Sequence, residues 1–251
     1  MSLINTFSGQ TIVGKILRYP LTLIPNGMTL RVLSGINRGS LWKAGASTHG
    51  CWLGTYEVDK QRVIDQFIKQ SDVVLDIGAN AGFYSLAFSK LIGPKGKVWA
   101  FEPFCDNLSN LRFHINVNKL ENVSVIAAAL SSESGLANFS FGLNNATGSI
   151  STQKSGKYLV PTFSLDDAIK LKFIDHPNFI KMDVEGEESK VLEGAGLILQ
   201  KKNSIWLIAL HGEDQRNRVL NIFKKYGYKV SMLNGSELSP AVFCDEIIAF
   251  P

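Results

Sequence analysis

The stretch Asp72-Val-Val-Leu-Asp-Ile-Gly-Ala-Asn-Ala-Gly82 decides the fold. Its first six residues form a short apolar run, the pattern of a strand buried on both faces of a parallel sheet. The glycines at 78 and 82 then mark a tight turn into a helix whose apolar residues include Phe83, Leu86, Ala87 and Leu91. Outward from this unit the alternation repeats. Lys97-Val-Trp-Ala-Phe-Glu102, Val123-Ser-Val-Ile-Ala127, Phe179-Ile-Lys-Met-Asp183 and Ile205-Trp-Leu-Ile-Ala-Leu210 read as strands. Helical stripes fall between or after them at Leu108, Leu111 and Ile115, at Val191, Leu192, Ala195 and Leu199, and at Val219, Leu220, Ile222 and Phe223. Strands alternating with helices imply right-handed crossovers and a largely parallel sheet covered on both faces. Tyr228–Leu233 and Ala241–Phe250 lack a helix-length connection, which predicts an antiparallel pair at that edge.

Before residue 57 the character differs. Leu23-Ile-Pro-Asn-Gly-Met-Thr-Leu30 reads as a β-hairpin turning on Asn26-Gly27. Glycines at 35, 39, 45, 50 and 54 follow, with Trp42 and Trp52 among them, so residues 1–56 read as a β-rich cap. It is either a lid that walls the acceptor site or an aromatic-pinned cover on the core. Residues 57–251 read as one domain, in which Val63, Ile64, Phe67 and Ile68 share a helical face. Residues 137–163 look β-rich, and Ser164-Leu-Asp-Asp167 resembles a capping box.

Composition removes several classes. With 45% apolar and 19% charged residues the chain is neither disordered nor coiled-coil. A net charge of +4 without a basic aromatic stripe argues against nucleic acid as partner. Cys51, Cys105 and Cys244 show no zinc or CxxC spacing. Lys15, Arg18 and Pro20 interrupt any signal-like apolar region, and no run reaches the ~18 residues of a membrane span. The expectation is a cytoplasmic protein with no membrane partner. Its oligomeric state is not legible.

Ligands in open α/β sheets bind beyond the carboxyl ends of the strands. Those ends here carry Asp76, Glu102, Ala128, Asp183 and His211. The first turn lacks the GxGxxG of dinucleotide enzymes. A carboxylate at Asp76 would also repel a pyrophosphate approaching the helix N-terminus. S-adenosylmethionine (SAM) tolerates it, because it brings a sulfonium and an ammonium, and its one carboxylate can reach backbone N–H groups. Gly78 and Gly82 would let that backbone come close to the ligand. Glu102, 26 positions after Asp76, can accept both ribose hydroxyls. Pro103 then turns the chain away, and Phe104 packs either on adenine or on the core.

Val74-Leu-Asp-Ile-Gly-Ala-Asn-Ala-Gly-Phe-Tyr-Ser85, Val98-Trp-Ala-Phe-Glu-Pro103 and Phe179-Ile-Lys-Met-Asp-Val-Glu-Gly-Glu187 together resemble the FkbM family of class I SAM-dependent methyltransferases. The resemblance covers roughly residues 55–235 and implies a seven-stranded Rossmann-like sheet. It also implies SAM as cofactor, S-adenosylhomocysteine as product, and transfer to a hydroxyl oxygen. Asp76, Gly78, Asn80, Gly82 and Glu102 fall at its cofactor-contacting positions. Pro103, Ala128 and Glu57 complete the expected contacts, Glu57 otherwise capping its helix. One departure stands out: the family pattern has an acidic residue two before the histidine of the fifth strand, and here that position is Ala209.

Methyl transfer from a sulfonium is an in-line displacement whose leaving group needs no acid, so an alcohol acceptor asks only for positioning and a base. Asp183 and Glu185 are the first candidates. As alternate residues in an extended segment they are expected to point to opposite sides. His211 is the alternative base. Glu187 and Glu188 read as structural residues of a helix first turn. No metal is expected, since Asp183, Glu185 and His211 match no recognised ligand spacing. The expected acceptor is a small molecule or sugar. The competing reading is a SAM-binding-like scaffold that has lost catalysis.

Overall fold

The computed structural model describes residues 21, 23–141, 148–151, 158–238 and 244–251. The readings for Lys15, Arg18 and Pro20, for 142–147 and 152–157 within the β-rich stretch, and for residues 241–243 lie outside them. The chain divides into two compact units, Met1–Tyr56 and Glu57–Pro251.

In the first unit β1 (Thr29–Arg31) pairs antiparallel with β2 (Leu41–Lys43), Leu30 opposite Trp42, and α1 (His49–Leu53) follows. Arg31 Nη1 donates to the Gly39 carbonyl at 2.8 Å across the connecting loop. The hairpin expected to turn on Asn26-Gly27 is a correction. A type I′ turn needs positive φ at both central residues, and only Gly27 has it. The turn leads into β1 and does not join two strands; β1 finds its partner across residues 32–40.

The second unit opens with α2 (Val58–Phe67), β3 (Val73–Ile77), α3 (Phe83–Ile92), β4 (Lys97–Phe101), α4 (Cys105–Val117) and β5 (Val123–Ile126). A separate four-stranded sheet follows, built from β6 (Ala129–Leu130), β7 (Gly135–Phe141), β8 (Gly148–Ser151) and β9 (Tyr158–Phe163). Then come α5 (Leu165–Lys170), β10 (Phe179–Met182), α6 (Glu188–Glu193), α7 (Gly196–Lys201), β11 (Ile205–Ala209), α8 (Glu213–Tyr226), β12 (Lys229–Met232) and β13 (Glu246–Phe250). Ser164 caps α5 by accepting from the Asp167 N–H at 3.1 Å. The reciprocal half of the box is relayed: Ser134 Oγ accepts from the Ser164 N–H and donates to Asp167.

The main sheet has seven strands in the order β12-β13-β11-β10-β3-β4-β5. The five from β11 to β5 run parallel, and β13 lies antiparallel between β11 and β12. The antiparallel pair expected at this edge is β12 with β13, β12 lying outermost. Strand residues alternate between two covered faces. Leu75, Ile77, Ile180, Met182, Trp206 and Ile208 belong to one continuous apolar cluster with α5 to α8, through Leu165, Val191, Leu199, Val219 and Phe223. On the other face Ala100 packs with Leu111 of α4, and Phe88 of α3 meets the Phe179 ring at 6.1 Å. Among the described residues no helix is long and apolar enough to cross a membrane.

The chain leaves β3 for β4 on one side and later returns to β10 on the other. That reversal makes a crevice beyond the carboxyl ends of β3 and β10, the usual ligand position in such sheets. Leu75, fully buried at the sheet centre, and Leu159, 66% exposed, supply a contrast. Leu75→Ala is expected to cost about 2–5 kcal/mol and Leu159→Ala under about 0.5 kcal/mol. Urea unfolding midpoints check both.

Candidate functional site

Asp76 on β3 and Lys181 on β10 are register partners, and both are buried. Asp76 Oδ2 accepts from Ser85 Oγ at 2.6 Å, and Asp76 Oδ1 lies 3.7 Å from Lys181 Nζ. Burial pushes the Asp76 carboxyl above its usual range, and Lys181 and Ser85 oppose that shift. Lys181 does more than neutralise Asp76. Its Nζ donates to the Gly78 carbonyl at 3.0 Å, stands 5.3 Å from the Tyr84 ring centroid, and lies 3.9 Å from Asp183 Oδ2. The sequence reading passed over this residue. The available signal was a lone cation inside the apolar run Phe179–Met182.

The turn after β3 is held by its own groups. The N–H groups of Gly78 and Ala79 both reach the Phe101 carbonyl, and that of Gly82 reaches Ala79. The Asn80 N–H donates to Glu102 Oε2 at 2.7 Å, and the Ala81 N–H to Asn80 Oδ1 at 2.7 Å. His114, fully buried on α4, contacts the Ala81 carbonyl through Nδ1 at 2.7 Å. All five N–H groups from Gly78 to Gly82 are therefore spent inside the protein. Within the turn itself they offer a ligand anion no free donor. The glycines also serve the packing. A Cβ at Gly78 would collide with the Asp183 carbonyl oxygen, and one at Gly82 with Leu111. Both have positive φ. Their bareness lets β10 and α4 close on the turn.

Glu102 closes β4, 4% exposed, with Oε1 accepting from the Phe104 N–H at 2.9 Å and from Asn107 at 3.3 Å. Oε2 has one partner and keeps acceptor capacity. Burial raises the Glu102 carboxyl, and the backbone donors at Phe104 and Asn80 pull it back. Phe104 is partly buried and packs against Ala129, Phe139 and Val160. Pro103 is half-buried, and Ala128 is buried just past β5.

At the end of β10 the chain bends: Glu185 takes a left-handed φ of 54°, followed by Gly186 at 103°. The bend defeats the expected alternation of Asp183 and Glu185. Both carboxylates face His211, whose Nε2 lies 3.7 Å from Asp183 Oδ1 and 3.4 Å from Glu185 Oε2. His211 Nδ1 meets Glu188 Oε1 at 2.7 Å. Glu188 is fully buried, and the same oxygen accepts from the Gly186 N–H at 2.9 Å. The purely structural role expected of Glu188 does not describe that contact; Glu187 ion-pairs with Lys190 at 2.8 Å. Burial raises the Glu185 carboxyl, with His211 opposing. The Glu188 hydrogen bond raises the His211 imidazole, burial opposes it, and Asp183 and Glu185 add to the rise.

Glu57 does not cap α2 with its side chain. Instead Oε1 accepts from Lys60 Nζ at 3.0 Å and Oε2 from the Tyr84 hydroxyl. Lys60, buried, also pairs with Glu246 at 2.6 Å. Glu246 is the register partner of Ala209, so the neighbouring strand brings a carboxylate beside that position. Burial alone would lower the Lys60 amine, and Glu57 and Glu246 more than offset it. The donor atoms of Asp183, Glu185 and His211 lie within 4.8 Å of one another, close enough to share a cation. Lys181 and a basic imidazole already supply counter-charge to that cluster.

A family model, the methyltransferase FkbM domain, matches residues 76–230. The chain is 28% identical over 183 residues to the hexuronic acid methyltransferase AglP of Haloferax volcanii, covering 72% of this chain and 74% of that one. It is 29% identical over 164 residues to the 2-O-methyltransferase NoeI of Sinorhizobium fredii, covering 58% and 66%. Among solved structures it resembles a methyltransferase FkbM from Methylobacillus flagellatus KT, with TM-score 0.54, 20% identity and 73% of this chain covered. The match spans only 44% of that protein, less than half its length.

Lys181→Met should expose the dependence of the turn on its buried cation. It is expected to cost about 3 kcal/mol or more at neutral pH, because the Asp76 carboxylate stays buried with Ser85 alone. Asp76 titrates from a raised position in the folded state, so the penalty of an unpaired carboxylate holds above that pKa and is relieved as pH falls through it. Adding Asp76→Asn should recover most of the loss. Urea unfolding of the single and double variants checks this.

Proposed function

We propose that this chain, which belongs to the methyltransferase FkbM family, transfers a methyl group from SAM to a hydroxyl oxygen of a sugar or other small molecule. The observation that carries the reading is the junction at Gly78, where the turn linked to Glu102 touches the Asp183 carbonyl at the head of the Asp183, Glu185 and His211 cluster. Cofactor-type and base-type groups meet at one point of the sheet.

The residues fit SAM on their own chemistry. Asp76, Glu102, Asp183, Glu185 and Glu188 outnumber Lys181 as charges along this rim, and Asp76, Glu102 and Glu185 are all raised by burial. A cationic ligand would relieve that excess. Glu102 Oε2 offers an acceptor for a ribose hydroxyl, and the turn offers no donors to phosphates. Asp76, Gly78, Asn80 and Gly82 would shape the cofactor side, with Pro103, Ala128 and Glu57 around it. When bound, SAM supplies an electrophilic methyl group on a sulfonium.

The chain's own part is to hold the acceptor hydroxyl and take its proton, at His211 or at Asp183 or Glu185. The intact cluster supports an enzyme over a scaffold. Relatives named for methylating hexuronic acid and a 2-hydroxyl support a sugar-type acceptor.

Calorimetry tests the reading. Wild type should bind SAM and ignore NADH, and Glu102→Ala should weaken SAM by about 10- to 100-fold, as loss of a charged hydrogen-bond acceptor implies. Wild-type protein that takes up no heat with millimolar SAM contradicts the proposal.

A further inference from the structure

We infer that Glu188 is a positioning residue that sets the tautomer of His211, so that Nε2 is the atom that accepts the acceptor hydroxyl's proton. The inference rests on the methyl-transfer reading above and deepens it.

A neutral imidazole carries one proton, and the nitrogen without it is the only one that acts as a base. Which nitrogen that is depends on the partner of the other. In His211 the two sides differ sharply. Nδ1 is 2.7 Å from Glu188 Oε1, a carboxylate with no solvent exposure, which the Gly186 N–H also holds at 2.9 Å. Oε2 of the same carboxylate is buried with no hydrogen-bond partner. A buried carboxyl group with few donors makes the bond to Nδ1 costly to lose. Nε2 faces the other way, towards Asp183 and Glu185 on the bend after β10. The ring is only partly covered, 33% exposed at its side chain, while Glu188, on the Nδ1 side, has no exposure.

The titratable and charged groups around the ring are Glu188 on α6, Asp183 and Glu185 on the bend, and Lys181, which stands 3.9 Å from Asp183. All three carboxylates favour the protonated ring, so His211 is expected to titrate above its ordinary 6.5. Deprotonation then leaves the proton on Nδ1 and frees Nε2. In the transfer the acceptor O–H proton passes to Nε2, the oxygen forms its bond to the methyl carbon, and the C–S electron pair stays on sulfur. Charge balances: a sulfonium and a neutral imidazole become a thioether and an imidazolium.

The test is histidine-selective 15N labelling of the full chain, with long-range 1H–15N spectra across a pH titration. His211→Asn identifies the His211 signals among the four histidines. Wild type should show His211 as the Nδ1–H tautomer at the alkaline end, the minority form of free imidazole, with a midpoint above 6.5. Glu188→Gln should lower that midpoint. In SAM turnover with methyl glucuronide as acceptor, Glu188→Gln should cut kcat by about 10- to 100-fold. SAM affinity should stay within about twofold, and the rising limb of the pH profile should move to lower pH with the midpoint. An Nε2–H tautomer in wild type, which needs no variant to fold, overturns the inference. So does a kcat profile that stays in place while the midpoint moves. Retained turnover in His211→Asn overturns the base assignment itself, and that result is separate from the tautomer.

Discussion

The Asp76 carboxylate has no solvent around it, and its nearest cation is a single ammonium on the adjacent strand. A buried carboxylate left alone would take up a proton or expel itself from the core. Lys181 opposes both, and because the same Nζ also holds the Gly78 carbonyl, it ties the electrostatics of the sheet to the shape of the turn beyond it. Gly78, with no side chain, lets the Asp183 carbonyl come close at the ends of β3 and β10. The rest of the rim is registered against that contact. Glu102 grips the turn through the Asn80 N–H, and His114 holds it from α4 through the Ala81 carbonyl.

Two layers of carboxylates result. The inner layer, Asp76 and Glu102, is committed to the protein's own donors and serves geometry first. The outer layer, Asp183 and Glu185, is partly exposed and converges on His211. This division explains why a chain of net charge +4 presents an acidic rim at one end of its sheet. The local sign, not the total, matters to a ligand that approaches along the crevice.

Much of this was legible in the sequence, for identifiable reasons. Fully buried parallel strands read as unbroken apolar runs, so β3, β4, β10 and β11 were found to within a residue or two of their ends. The strand-end residues followed at once, because topology alone makes those positions a rim. What failed was everything decided by a local dihedral angle or by a third element. Asp183 and Glu185 were expected to diverge, and the left-handed turn at Glu185 brings them together. Gly78 and Gly82 read only as places where a ligand could approach, and nothing in a linear reading shows that Asp183 and Leu111, distant in sequence, pack against them. Glu188 looked like a helix-dipole residue, since nothing in a linear reading shows that His211, 23 positions on, lies within hydrogen-bond reach. Asn26-Gly27 carried a strong hairpin signal, but only one of its residues adopts the required φ.

The central claim is that a cationic nucleoside cofactor sits across Gly78 between Glu102 and the Asp183 cluster. Crystals grown with S-adenosylhomocysteine test it most directly, by electron density in that crevice. The account predicts ribose oxygens within hydrogen-bond distance of Glu102 Oε2 and the sulfur on the Asp183 and His211 side of the turn. Density that places the nucleoside elsewhere on the chain, or a crevice that stays empty at saturating ligand, would contradict it.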